Sequence, residues 1–193
     1  MGSAAEVQAP GAERRVFWTA ALVTVALDLV TKLVAEATLL RTPGISVVGD
    51  WFQLRLVYNQ GAAFGLHLGP YSRWIFLTVA IVAVFVLRRM SHTSPPGDTF
   101  RQLALGLVAG GAAGNLIDRI RSQHGVVDFL DVGIGALRWP TFNVADMAVS
   151  TGAFLLAWVL WGEDRRAAIA SEQVPPPAAP GADAEPLGAR DAR

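Results

Sequence analysis

Residues 16–40 read VFWTAALVTVALDLVTKLVAEATLL, and the fold turns on how that stretch is taken. Its charges are confined to Asp28, Lys32 and Glu36, with Thr24 one step before them. These positions recur every fourth residue, so on a helix they form one polar stripe along an otherwise apolar cylinder. About 20 apolar residues cross the hydrocarbon core of a bilayer, so the segment can span with tilt to spare. The competing reading is a cleaved signal peptide, with Arg14-Arg15 ahead of an apolar centre and Ala35-Glu36-Ala37 as the cleavage site. A discarded peptide has no use for Asp28 and Lys32 one turn apart, so the span is preferred.

Three more apolar segments follow. Trp74 to Leu87 is uninterrupted but short, with Tyr71 and Arg73 as interfacial flanks on one side and Arg88-Arg89 on the other. Phe100 to Ile120 carries Gly106, Gly110 and Gly114 at successive i+4 steps, a doubled GxxxG ridge that lets another helix approach closely. Phe142 to Trp161 is about one bilayer long. The expected architecture is an all-α membrane protein with transmembrane helices at about 16–40, 71–88, 100–120 and 142–161. Between the first two, Ser46 to Asn59 alternates, with Phe52, Leu54, Leu56 and Tyr58 on one face and Gln53 and Arg55 on the other. That is strand periodicity, a small β-element at about 45–60 that ends on the turn signal Asn59-Gln60-Gly61. Residues 1–15 read as a flexible N-terminus, and the Pro- and Ala-rich 162–193 as a disordered tail.

Composition agrees with a membrane protein. The chain has 193 residues, 52% hydrophobic and 17% charged, where a soluble domain is nearer a quarter charged. The mean hydropathy is +0.39 although both ends are polar. A net charge of zero gives no sign of nucleic acid. Without cysteine there is no disulfide, thiol nucleophile or thiolate metal site. His67, His92 and His124 lack the HExxH spacing of a zinc protease, and no metal or cofactor is expected. Four spans put both termini on one side, and the pairs Arg14-Arg15, Arg88-Arg89 and Arg165-Arg166 mark that side as cytoplasmic. Arg41, Arg55, Arg73, Arg119, Arg121 and Arg138 fall opposite, so the bias is weak.

Ionisable residues inside or beside a bilayer are functional candidates by default. Asn115, Asp118 and Arg119 are spaced i, i+3 and i+4 and face one way on a helix. Asn143, Asp146 and Ser150 do likewise in the fourth segment. Asp28 and Lys32 read best as a pair that neutralises itself, and Asn59 as a turn residue. Asp118 beside Arg119 reads as a helix-end ion pair, and Asp146 alone as an interhelical hydrogen bond. Together the islands say more. Asp128, in Val126-Val127-Asp128-Phe129, follows the third segment closely and Asp146 opens the fourth, so both belong to one membrane face. Two carboxylates that close cannot both ionise cheaply, and they titrate as a unit sharing one proton. The charged member can then take a proton from water while the neutral one donates to a scissile carbonyl.

The set Asp28-x-x-x-Lys32, Asn59-Gln60-Gly61-Ala62-Ala63-Phe64, Gly110-Gly111-Ala112-Ala113-Gly114-Asn115-Leu116-Ile117-Asp118-Arg119, Val126-Val127-Asp128-Phe129 and Phe142-Asn143-Val144-Ala145-Asp146 resembles lipoprotein signal peptidase (signal peptidase II). The resemblance covers Val16 to Trp161 in order. It implies a four-helix intramembrane aspartyl endopeptidase of the bacterial inner membrane, which cuts prolipoproteins before a diacylglyceryl-modified cysteine. It further implies that the β-element is extracytoplasmic and cradles the substrate. By this resemblance Asp128 and Asp146 are the catalytic pair. Asn59, Gly61, Asn115, Arg119 and Asn143 line the cleft or hold the substrate backbone, and Asp28, Lys32 and Asp118 support the site. The partners it implies are lipidated prolipoproteins and membrane lipids, with the enzyme a monomer. The sequence leaves open a pair of Asp118 with Asp146; Asp128 is preferred because Arg119 beside Asp118 favours a permanently ionised carboxylate.

Two other classes compete. A small proton- or ion-coupled transporter would also place acids in helices, but it would show polar residues at mid-membrane and an internal repeat; no repeat is found, and the cytoplasmic halves of segments two and four (Ala80 to Leu87, Phe154 to Leu160) are almost wholly apolar. A bare helix-packing scaffold explains the glycine ridge and leaves the acidic islands without purpose.

Overall fold

The computed structural model describes residues 11–61 and 69–172. In chain order these form helix α1 (Ala12–Leu39), strands β1 (Ile45–Val48) and β2 (Phe52–Asn59), helices α2 (Ser72–Thr93) and α3 (Thr99–Arg121), strands β3 (Val126–Ile134) and β4 (Leu137–Arg138), and helix α4 (Val144–Glu172). Two compact units divide the chain between Val159 and Leu160, and the packing described below belongs to the first. All four helices are long and apolar enough to cross a membrane. Their outward faces carry Leu27, Val30, Val34, Val82 and Phe85 exposed, as lipid-facing positions must be. The protein is a multi-pass membrane protein, mostly helical, with one small antiparallel sheet.

Several boundaries differ from the sequence reading. Helix α1 begins at Ala12, so part of the expected flexible N-terminus is helical. Helix α2 passes Arg88-Arg89 and runs to Thr93. It stops at Ser94, which is extended with ψ 146°, because a residue before proline is pushed out of the helical region. Helix α4 continues to Glu172 beyond the expected end at Trp161. Residues 163–172 (EDRRAAIASE) are largely good helix formers, and the first proline comes only at Pro175. The expected tail is therefore helical up to 172, while residues 1–10 and 173–193 lie outside the described residues.

The glycine ridge of α3 seats α1. A β-carbon on Gly110 would lie 2.7 Å from the Ala21 carbonyl oxygen and 2.8 Å from Thr24 Cβ, and one on Gly106 would lie 2.6 Å from the Phe17 carbonyl oxygen. The polar stripe of α1 meets that ridge, burying Thr24, Asp28 and Lys32. Helix α4 packs on the neighbouring face of α3 through Gly111 and Gly152; a β-carbon on Gly111 would collide with the Ala145 carbonyl, and one on Gly152 would come within 2.7 Å of the Ala104 carbonyl oxygen. Each of these β-carbons would meet backbone of the partner helix closer than 3.0 Å, so any side chain larger than hydrogen forces that helix to shift.

The sheet is larger than the alternating stretch alone suggested. It has four antiparallel strands in the order β1-β2-β3-β4. β2 and β3 pair in the register Asn59↔Val126, Val57↔Asp128 and Phe52↔Val132. Its inner face rests on the end of α1, where Ala35, Leu39 and Phe129 form a core flanked by Leu54, Leu56, Leu130 and Val144. After β4 the chain turns back, and Phe142 bridges to Leu130 before α4 begins.

Candidate active site

At the sheet end of the helices two polar clusters lie side by side, and one residue, Asn115, touches both. The first cluster is ionic. Lys32, fully buried, sits 2.7 Å from Asp28 Oδ2 and 2.8 Å from Asp118 Oδ2. Asp118 Oδ1 is 2.9 Å from Arg121 Nε, and its Oδ2 also accepts the Val127 N–H at 3.1 Å. Asp28 Oδ1 accepts the Ala145 N–H at 2.9 Å, so a carboxylate on α1 satisfies one of the unpaired donors that open α4. Both carboxylates here have a cation in contact.

The second cluster is made of two aspartates and three asparagines. Asp146 and Asn143 form a reciprocal cap on α4: the Asp146 N–H donates to Asn143 Oδ1 at 2.9 Å, and the Asn143 N–H donates to Asp146 Oδ2 at 3.1 Å. Asn143 therefore precedes the helix, and does not share a helical face with Asp146 and Ser150 as its spacing suggested. Its spent oxygen leaves the amide NH2 to donate to Asp128 Oδ1 at 2.7 Å. Asn59 works the same way. Its Oδ1 accepts the Gly61 N–H at 3.0 Å, the turn role expected of it, and its Nδ2 donates to Asp128 Oδ2 at 3.1 Å. Asn115 Oδ1 accepts from Lys32 Nζ at 2.9 Å and from Asn143 Nδ2 at 3.1 Å, so its own Nδ2 must face Asp146 Oδ1, 2.8 Å away. The buried lysine thus fixes the amide that holds Asp146.

Asp128 and Asp146 both line a cavity of about 930 Å³, together with Asn59, Gly61, Asn115 and Arg119. Trp139, Phe142, Met147 and Val149 also line it, with Thr141, Ser150 and Thr151, so apolar side chains join the polar amides in its wall. Arg119 donates to the carbonyls of Asn115 (3.2 Å) and Gly61 (3.1 Å) and lies over the Phe76 ring. Burial, and then the charge of Asp146, push the Asp128 carboxyl up to about 7, against donation from Asn59 and Asn143 that lowers it. Asp118, Asp28 and Lys32 do not reach the cavity; their place is behind its wall.

Five positions escaped the sequence reading. Gly125 has φ +110°, and a β-carbon there would run into the Asn59 carbonyl; it lets β3 start close against the residue that holds Asp128. Asp131, buried, is bound by Arg138 Nε at 2.7 Å and faces Arg55 at 3.5 Å, which pins β4 to β3. Thr141, Pro140 and Trp139 line the cavity from the return segment, where no periodic pattern marks them.

Residues 20–162 match the family Signal peptidase (SPase) II. The chain belongs to the signal peptidase II family. Among curated relatives, the lipoprotein signal peptidase of Moorella thermoacetica is 40% identical over 144 residues, 75% of this chain and 91% of the relative. That of Oleidesulfovibrio alaskensis is 41% identical over 149 residues, 76% and 94%. Two solved structures of a bacterial membrane enzyme, obtained in meso at 2.3 Å and 1.9 Å, superpose with TM-scores of 0.68 and 0.65 at 29% and 30% identity. They cover 76% and 74% of this chain and 87% and 90% of their own. Membership of the signal peptidase II family makes the chain a membrane-bound protease of the lipoprotein-processing kind, and its matched segment contains every residue of both clusters.

Proposed function

We propose that this chain is an aspartyl endopeptidase that removes the signal peptide from prolipoproteins by cutting before a diacylglyceryl-modified cysteine. The observation that carries the reading is the contrast in partners: Asp128 and Asp146 line one cavity and are held by neutral amide donors, whereas Asp28 and Asp118 are neutralised by Lys32 and Arg121. Only the first two line the cavity where a substrate and a water could reach them. In this mechanism Asp128 holds the shared proton and donates it to the scissile carbonyl oxygen. Asp146, at the opening of α4 where a helix favours an anion, takes a proton from the attacking water. Asn59, Asn115 and Asn143 hold the two carboxyls apart in role, and Arg119 and the Gly61 backbone position the substrate chain. The apolar residues in the cavity wall, Trp139, Phe142, Met147 and Val149, suit an apolar signal segment and the acyl chains of the lipid. Both termini are cytoplasmic and the cavity opens at the extracytoplasmic face of the inner membrane, in keeping with the Arg pairs. The enzyme acts as a monomer without a cofactor.

The test is to offer the purified protein in lipid vesicles a diacylglyceryl-modified prolipoprotein and the same precursor without lipid. Cleavage of the first before its cysteine is the expected result. If neither is cut, while a proton flux through the vesicles disappears with Asp146→Asn, the transporter reading replaces this one.

A further inference from the structure

Arg119 stands between two cavities. It lines the active-site cavity, and it also lines a second one of about 300 Å³ together with Arg73, Trp74 and Gln123. Its guanidinium donates to the carbonyls of Asn115 at 3.2 Å and Gly61 at 3.1 Å. Both of those residues line the first cavity and not the second. The side chain is thus turned to the active site by bonds to neutral acceptors, with open space on its other side into which a long, flexible side chain can swing.

Arg73 occupies that other side. It lies in the first turn of α2 and reaches across to the end of α3. Its Nε donates to the Arg119 carbonyl at 2.7 Å and its Nη2 to the Ile120 carbonyl at 3.2 Å. Helix α3 ends at Arg121, so both carbonyls belong to the last turn, where a helix offers its acceptors no partner of its own. The Asp118 carbonyl takes the Ser122 N–H at 2.9 Å, and Arg73 serves the next two. A cation at this place also meets the negative end of the helix dipole. Two effects on Arg119 follow. Its backbone is pinned, and a like charge already lines the cavity into which its guanidinium would otherwise turn.

We infer that Arg73 is a positioning residue: it pins the end of α3 and, by its charge, keeps the Arg119 guanidinium on the Gly61 carbonyl and facing the substrate. Arg73 acts through Arg119 and does not line the active-site cavity. The inference rests on the reading of this chain as a peptidase in which Arg119 positions the substrate chain. Its effect falls on substrate binding, seen in KM, and not on the proton transfers of Asp128 and Asp146, seen in kcat.

The test uses the full-length protein in lipid vesicles as wild type, Arg73→Lys, Arg73→Met and Arg73→Gln, each first shown to be folded. With a diacylglyceryl-modified prolipoprotein as substrate, Arg73→Met is expected to raise KM several-fold at an unchanged kcat. Arg73→Lys keeps the charge and should restore most of the loss, whereas Arg73→Gln keeps a donor without the charge and should behave like Arg73→Met. Should Arg73→Met not fold, Arg73→Gln against Arg73→Lys carries the same comparison. A wild-type KM in the uncharged variants overturns the inference. A loss confined to kcat also overturns it, as does an Arg73→Lys no better than the uncharged variants. Hydrogen exchange gives a readout without substrate: the amides of residues 119–122 should exchange several-fold faster in Arg73→Met than in wild type, while the first turns of α3 keep their rate. Equal exchange at that end overturns the pinning. A wild type that does not cut the precursor sinks the peptidase reading and the positioning role with it, whereas the exchange result still decides by itself whether Arg73 pins α3.

Discussion

Two pairs of buried or half-buried aspartates sit within a few residues of one another in this fold, and they are built for opposite ends. Asp28 and Asp118 face Lys32, with Arg121 behind. Asp128 and Asp146 face asparagine amides. The first arrangement places a cation in contact with each carboxylate. The second leaves carboxyls desolvated, mutually repelling and supplied only with neutral donors, which is how a fold makes one of them hold a proton near neutral pH. The sequence shows four aspartates of the same type. What separates them is the identity of the second residue in each contact.

The contrast can be broken from the ionic side first. Lys32→Met leaves two buried carboxylates facing each other without their shared cation, and a loss of about 3–5 kcal/mol is expected for a broken buried pair. Thermal unfolding in detergent would read it, and adding Asp118→Asn should recover part of the loss. If Lys32→Met melted like wild type, the cluster would not be the ion group described. The packing beneath the cluster gives a smaller effect. Gly110→Ala must displace the α1 backbone at Ala21, and overpacking of this kind costs about 1–3 kcal/mol; an unchanged melting temperature would contradict the close α1–α3 contact.

The amide-held side is sharpened by pH. Asp128 is raised from 3.8 to about 7 by burial and then by Asp146. Its folded value lies above its unfolded one, so its contribution to stability is full below pH 3.8 and is lost as pH rises to about 7. Asp128→Asn should therefore melt higher than wild type above pH 7, and the gap should narrow towards pH 4. A constant gap would mean that Asp128 keeps an ordinary carboxylate affinity for its proton. Smallest of all, removing residues 173–193 should leave both cleavage and melting unchanged, and a loss of cleavage in the inserted, truncated protein would assign those residues a role.

The helical part of the fold was legible because bilayer thickness imposes a length and because Thr24, Asp28 and Lys32 repeat at one helical period. The Gly106–Gly110–Gly114 ridge was legible for the same reason, and it does receive that stripe. Gly111 and Gly152 were not, because each stands alone on its face and only the approach of α4 gives it meaning. β3 was missed for a different reason. Val126 to Phe129 are all buried, so the strand is covered on both faces and has no alternation to read, and Asp128 and Asp131 interrupt its apolar run. Asn143 looked helical by spacing because a cap residue sits three before its partner, the same interval that marks a helical face. Asp128 was preferred to Asp118 because of Arg119, but the cations in contact with Asp118 are Lys32, on another helix, and Arg121, while Arg119 turns to the carbonyls of Asn115 and Gly61.

The most direct measurement is cleavage of a diacylglyceryl-modified prolipoprotein by wild type, Asp118→Asn, Asp128→Asn and Asp146→Asn, each first shown to be folded. A proton-sharing pair of Asp128 with Asp146 predicts that both of their variants are folded and inactive while Asp118→Asn, though less stable, still turns over. Turnover by Asp128→Asn together with a folded but inactive Asp118→Asn would contradict it and move the pair to Asp118 with Asp146.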